Sequence, residues 1–453
     1  MSLRIRPALA ALTAVGALTL SAACTDPTAG QDAAGHTTIT VALAANPQMK
    51  TAEDLVADFE SKHPGIRVEF TTLPENDLRP AVTKDVATRA GQYDVAMIGS
   101  YEVPIWARNG WIVPLDDYVA GDAAWDSGDV LRPIKDIVSA DGRLYGAPFY
   151  GSSSFLFYRK DLARAAGVTL GNSPTWQQVA AAAAKMDDKR NGVSGICLRG
   201  LPGWGQNLAP VTSVINTFGG RWFDESWHPQ LTSPETTRAV QFYVDLLRRH
   251  GQPDAANHGW EGCLQQITQG RTAMWYDDTS FAGSALGQAV PRVRDNLAFT
   301  LAPVEQTRSS GWLWSWALGI TQSSRNKDAA WKFISWATGK DYIRLAGAEA
   351  GWDAIPPGSR TSTYAVPEYR RAAGSYADLT LKSITAADPG RPTVRKVPYR
   401  GLQYVQIPEF TDIGDYVSQQ IAGAISGTQT VAQALRKSQS YTQDAMQKAG
   451  YLK

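Results

Sequence analysis

Side chains able to make strong polar contacts recur in this chain beside tryptophans, in short stretches rich in Gly and Pro. Arg199, Trp204, Gln206 and Asn207 lie in RGLPGWGQN, a segment that is either a shaped binding surface or an ordinary turn. Tyr101 and Glu102 follow the apolar run from Val95 to Ser100, so Glu102 is a candidate acceptor beyond a strand end, or an acidic residue favouring a helix N-terminus. Asn46, before Pro47, offers the same choice between ligand acceptor and turn former. Tyr150 and Ser152 follow Pro148, with Gly151 between them letting the backbone approach a ligand. Asp277 and Asp278 adjoin a strand expected from Thr272 to Tyr276; as neighbours on an extended segment they face opposite sides, which suits two carboxylates acting on one bond poorly. Trp314 and Trp316 share one strand face, with core packing as the alternative, and Trp316 is the candidate of the two. Trp352 and Asp353 occupy a turn before Ile355-Pro356-Pro357, and Arg400 lies in VPYRGLQY.

Such a set suits a neutral, hydroxyl-bearing small molecule. Hydroxyls need donors and acceptors, and hydrogen bonds to charged groups contribute about 1.5–3 kcal/mol each. C–H faces need flat apolar partners, and Trp, at 15 residues against 12 Phe, is in surplus here. Micromolar binding of a neutral guest of about a dozen heavy atoms asks for about 0.7 kcal/mol per heavy atom, inside the ceiling for small ligands. The usual catalytic scaffolds are missing: the sequence has no GxxxxGK[ST], no GxGxxG, no HExxH and no GxSxG. Its five His are scattered beside turn signals, and the partial calcium-loop pattern at Asp187, Asn191 and Gly192 has Lys189 and Leu198 where ligands belong. No metal and no cofactor are expected. A secreted glycosidase, with Glu102 and Asp277 or Asp278 as acid and base, remains the alternative to a binding protein.

The elements that must position these residues alternate. A strand is expected at Thr37 to Ala44, a helix from Met49 to His63, a strand from Ile66 to Thr71, a helix from Asn76 to Ala90 and a strand from Tyr93 to Ile98. This grammar predicts an α/β fold with a parallel sheet between helices. Further on, Ser154 to Tyr158 reads as a strand, and Trp176 to Met186, Pro234 to His250 and Lys327 to Thr338 as helices. A chain of 453 residues exceeds one core, so two lobes are expected. With 44 Lys and Arg against 43 Asp and Glu, no global field gathers phosphates, and nucleic acid is not an expected partner.

At the N-terminus, Arg4 and Arg6 precede the apolar run Ala8 to Leu20 and the small residues before Cys24, the layout of an export signal over residues 1–23. Acylation of Cys24 would anchor the chain to the outer face of the membrane; cleavage after Ala23 and release is the other reading. Residues 24–37 read as a flexible tether. In an oxidising compartment Cys197 and Cys263 form either a disulfide or two buried thiols.

Several segments in order, QYDVAMIGSYEVPIWARNGWIVPLDD, DGRLYGAPFYGSSSFLFYRKDL, RGLPGWGQN, GRTAMWYDD and GWLWSWALGI, resemble the extracytoplasmic solute-binding proteins of ABC sugar importers. SYEVPIW, PFYGSSSF and RGLPGWGQN are most similar to the branch that binds polyols such as mannitol, sorbitol and arabitol. The resemblance implies a type II periplasmic-binding fold of two hinged α/β lobes with the ligand in the cleft between them. The expected division is 38–148 with 268–322 as lobe 1, and 149–267 with 323–453 as lobe 2. It also implies a lipid anchor, permease subunits as partners, delivery of a polyol or related sugar to them, and no catalysis. A near-neutral surface and a tether suit a monomer.

Overall fold

The structure, a computed structural model, describes residues 35–452, so the export signal, Cys24 and most of the tether lie outside the described residues. Thr37–Ala44 is a β-branched strand with Ile39, Val41 and Leu43 fully buried, and it forms the middle of the first sheet's parallel half. It pairs in parallel with Ile66–Leu73 on one side and with Val95–Gly99 on the other. Trp314–Ile320 then runs antiparallel to Val95–Gly99, and Ala147–Ser152 antiparallel to Trp314–Ile320. The sheet is therefore mixed, not wholly parallel as the strand-helix alternation predicts. Its fourth strand returns from the other lobe and is not fed by a crossover helix, so nothing forces it parallel.

The second sheet is antiparallel, with Ser154–Arg159 between Met274–Asp278 and Leu297–Leu301. Parallel bridges from Ser194 to Thr272 and from Cys197 to Trp275 extend it by one irregular strand. These pairings divide the chain differently from the expected boundaries. Met274–Asp278 and Leu297–Leu301 belong with the second lobe, and only Trp314–Ile320 of the 268–322 segment joins the first. Helix Lys327–Thr338 packs on the first sheet, against Ala147–Ser152, Trp314–Ile320 and Thr37–Ala44, so the first lobe also claims the start of 323–453. Helix–strand alternation is the same in both lobes, and only pairing tells which sheet a strand completes.

Several helices match their apolar spacing. Trp176–Met186, Pro234–His250 and Lys327–Thr338 have the expected limits, the first closed by a Thr175–Gln178 capping box and the second capped by Ser233. The expected helix from Met49 to His63 is instead two, Pro47–Asp54 and Val56–Lys62, broken at Leu55. The C-terminal helices Phe410–Ser426 and Val431–Lys448 pack on Pro234–His250 and so thicken the second lobe.

Three chain passages join the lobes. Ser153 alone separates the first sheet's Ala147–Ser152 from the second sheet's Ser154–Arg159. Trp312 and Leu313 lead back into Trp314–Ile320, with Leu313 held by both ends of the Gln403 side-chain amide. The third passage follows helix Lys340–Glu349, where Pro357 accepts a hydrogen bond from the Gly151 backbone and Ser359 one from Leu131. Trp312, Trp314 and the candidate Ser152 thus sit where the lobes meet.

Close approach at this junction requires small residues. A Cβ on Gly99 would lie 2.3 Å from the Trp314 ring, deep in a buried strand. Gly99→Ala is expected to destabilise the protein by about 1–3 kcal/mol through overpacking, read as a lowered midpoint in chemical denaturation, with Trp314 displaced from the lobe junction.

Candidate functional site

Two consecutive odd positions of strand Trp314–Ile320 point to one face, so Trp314 and Trp316 stand side by side, edge to face with ring centroids 5.4 Å apart. Trp316 lies directly across from Tyr150, and Trp314 across from Ser152. The register slips between Trp316 and Ala317, which pair with Tyr150 and Pro148 and leave Phe149 as the extra residue of a bulge. Trp314, Trp316 and Tyr150 border a cavity between the lobes whose atom-free space, counted with the open solvent at its mouth, is about 600 Å3. Five of the 15 tryptophans border it: Trp204, Trp260, Trp312, Trp314 and Trp316. Trp260 closes a stack of near-parallel rings, on Phe281 at 4.8 Å and through it on Trp275 and Phe157, that runs out from the second lobe's core.

Arg79 enters from helix Glu75–Thr88, and its guanidinium lies over three indole rings, 4.1 Å from Trp204, 4.6 Å from Trp316 and 5.2 Å from Trp314. A desolvated cation over an indole gains on the order of 2 kcal/mol. Glu75, one turn earlier, accepts from its Nη2 at 2.8 Å, and Glu102 accepts from Nη1. Burial alone would favour loss of the Arg79 proton, but attraction to Glu102 and Glu75 outweighs it and holds the pKa above the usual arginine value.

On the second lobe Arg199 is paired with Asp277, whose Oδ2 accepts from Nε at 2.9 Å, and donates from Nη1 to the Gly205 carbonyl at 2.8 Å. Asp277, fully buried, also accepts from the Trp275 indole and the Asp278 backbone. Here too burial opposes the charge on Arg199 and the Asp277 carboxylate more than offsets it, raising the pKa. Asp278, on the opposite face of the strand, turns to the cavity. Ser152 donates to it at 2.7 Å, the Trp312 indole at 3.1 Å and the Ser280 backbone at 2.7 Å. Burial nonetheless pushes the Asp278 pKa up, against those donors. The disulfide between Cys197 and Cys263, with Cα atoms 5.5 Å apart, fastens the segment that carries Arg199 to the helix that begins at Trp260.

Of the sequence candidates, Asn46, Tyr150, Arg199, Trp204, Asp278 and Trp316 border the cavity. Ser152 and Asp277 stand one layer behind, bonded to residues that do. Asn46 is also the cap of helix Pro47–Asp54, its Oδ1 accepting from Met49 at 2.9 Å. The others lie elsewhere. The Tyr101 hydroxyl donates to the Ile407 carbonyl, and Glu102 opens helix Glu102–Arg108 and faces Arg79. The Gln206 and Asn207 side chains turn into the second lobe, where Asn207 donates to Gly200 and Ser418 carbonyls. Trp352 and Asp353 pack outside the cavity against Gly347 and against Gly283 and Gly287, and Arg400 is exposed while Gln403 of the same loop reaches in. Glu75, Arg79, Trp260, Phe281, Trp312, Trp314 and Gln403 border the cavity without having been singled out. The i, i+4 Glu–Arg pair at 75 and 79 was the one available signal, and on an amphipathic helix it resembles any solvated ion pair.

Residues 45–343 match the family of bacterial extracellular solute-binding proteins. A Pseudomonas aeruginosa protein named as a mannitol-binding protein is 41% identical over 423 residues, 93% of this chain and 96% of its own length. The crystal structure of an ABC transporter solute-binding protein from Agrobacterium vitis S4 with bound D-mannitol is similar at a TM-score of 0.89 and 47% identity, covering 92% of this chain and all of that one. A solute-binding protein from Agrobacterium radiobacter K84 in complex with ribitol shares the fold at a TM-score of 0.80 and 23% identity, over 90% of this chain and 98% of the other.

Removing one partner of a buried ion pair leaves the other uncompensated. Asp277→Ala is expected to cost about 3–5 kcal/mol by stranding Arg199, measured by urea denaturation, whereas Arg400→Ala, on an exposed side chain, is expected to change stability by less than about 0.5 kcal/mol.

Proposed function

The chain belongs to the bacterial extracellular solute-binding proteins, a family of binding proteins and not enzymes, and from that premise we propose that it captures a linear polyol, a hexitol such as mannitol foremost, for an ABC importer. The observation that carries the reading is the charge state of the cavity. Each guanidinium bordering it is already paired, Arg79 with Glu75 and Glu102 and Arg199 with Asp277, so no cation is left over for a carboxylate or phosphate guest. What remains to a guest is indole faces, the Asp278 carboxylate, the Tyr150 hydroxyl and the Gln403 and Asn46 amides. Flat apolar plates with a few acceptors and donors suit the C–H and O–H groups of an alditol. The name of the Pseudomonas aeruginosa relative and the ligand of the Agrobacterium vitis protein point the same way.

Delivery to permease subunits follows from the family's role. Anchoring through an acylated Cys24 and action as a monomer complete the proposal, supported by the order of charged, apolar and small residues before Cys24 and by the near-neutral net charge of +1. Closure of the two lobes over the ligand would remove it from water on all sides, with the three passages as hinge.

A thermal-shift panel tests the reading: hexitols at a hundredfold excess over their dissociation constant are expected to stabilise the protein by about 2.7 kcal/mol, and a shift with oligosaccharides but none with alditols would overturn it. Since Asp278 accepts best when ionised and burial raises its pKa, hexitol affinity is expected to fall as pH drops through that raised value and to be regained above it. Asp278→Asn is expected to weaken binding and abolish this dependence in calorimetric titrations.

A further inference from the structure

We infer that Arg79 and Trp204 form a wall that fixes the length of the ligand, an inference that rests on the polyol reading above. Both residues border two spaces: the inter-lobe cavity, and a larger groove with about 1520 Å3 of atom-free space, open solvent included. Arg79 comes from the first lobe and Trp204 from the second, so the wall exists only where the lobes meet. The guanidinium lies 4.1 Å over the indole and is bonded on the cavity side by Glu75 and on the groove side by Glu102. From behind, Asp415 of helix Phe410–Ser426 accepts from the Trp204 backbone at 3.0 Å.

The groove carries the chemistry a second sugar unit needs. Trp111 borders it as a flat face for a pyranose, and Asp415 and Glu102 supply acceptors. At the opposite end of the cavity, Asn46 and Trp260 border a groove that offers Lys50 and Glu53 but no further aromatic ring. Extension past Trp204 is therefore the favoured direction, and the wall rejects any alditol carrying a glycosyl group there.

The test titrates D-mannitol and maltitol, a glucosylated hexitol, into the full chain and into Trp204→Ala by calorimetry. The unaltered protein is expected to prefer mannitol by about a hundredfold or more, and Trp204→Ala to bring that ratio below about tenfold, chiefly by gaining maltitol affinity. If Trp204→Ala fails to fold, the double variant Arg79→Gln, Glu102→Gln shortens the wall from the other lobe at constant net charge and is read by the same ratio. An unaltered protein that binds maltitol within tenfold of mannitol, or a folded variant that still binds mannitol yet gains nothing for maltitol, overturns the wall. A protein that binds no alditol at all sinks the functional reading itself and the wall with it.

Discussion

Charge taken from water must be compensated where it is buried, and at the junction of these two lobes that requirement organises everything else. Arg79 and Arg199 reach the same cavity from opposite lobes, and each brings its own carboxylates: Glu75 and Glu102 for one, Asp277 for the other. Isolated, either guanidinium would carry a desolvation penalty of several kcal/mol. Paired, and in the case of Arg79 laid over three indoles, they become rigid parts of the wall. The same pairing leaves neither guanidinium as an unpaired anchor for an anion. Asp278 is the exception that a polar guest can use, since its partners are hydroxyl, indole and amide donors and no cation.

Fold and site are joined through one strand. Trp314–Ile320 completes the first sheet, begins at a passage between lobes and presents two tryptophans to the cavity. Gly99 beneath Trp314, Gln403 clasping Leu313 and the bulge next to Tyr150 are each explained by that triple duty. On the second lobe the disulfide does an analogous job, binding the Arg199 segment to the helix that carries Trp260, so two walls of the cavity share one covalent tie. Such preorganisation lowers the ordering cost of binding any flexible guest.

Much was legible before the structure. Apolar spacing determined the helices Trp176–Met186, Pro234–His250 and Lys327–Thr338, the β-branched run determined Thr37–Ala44, and period-two spacing put Trp314 and Trp316 on one face and Asp277 and Asp278 on opposite ones, because these are consequences of backbone geometry within a few residues. Residue chemistry and segment order likewise pointed to the family. Which lobe owns Met274–Asp278, whether Trp314 joins a core or a cavity, and that Arg79 meets Trp204 were decided only by the tertiary structure. Those facts depend on strand pairing and on contacts between residues more than a hundred positions apart, about which local spacing carries no information. Arg79 shows the reason most plainly: on its helix it looks like half of a solvated ion pair, and only the folded chain, with Trp314 and Trp316 of the first lobe and Trp204 of the second over its guanidinium, buries it.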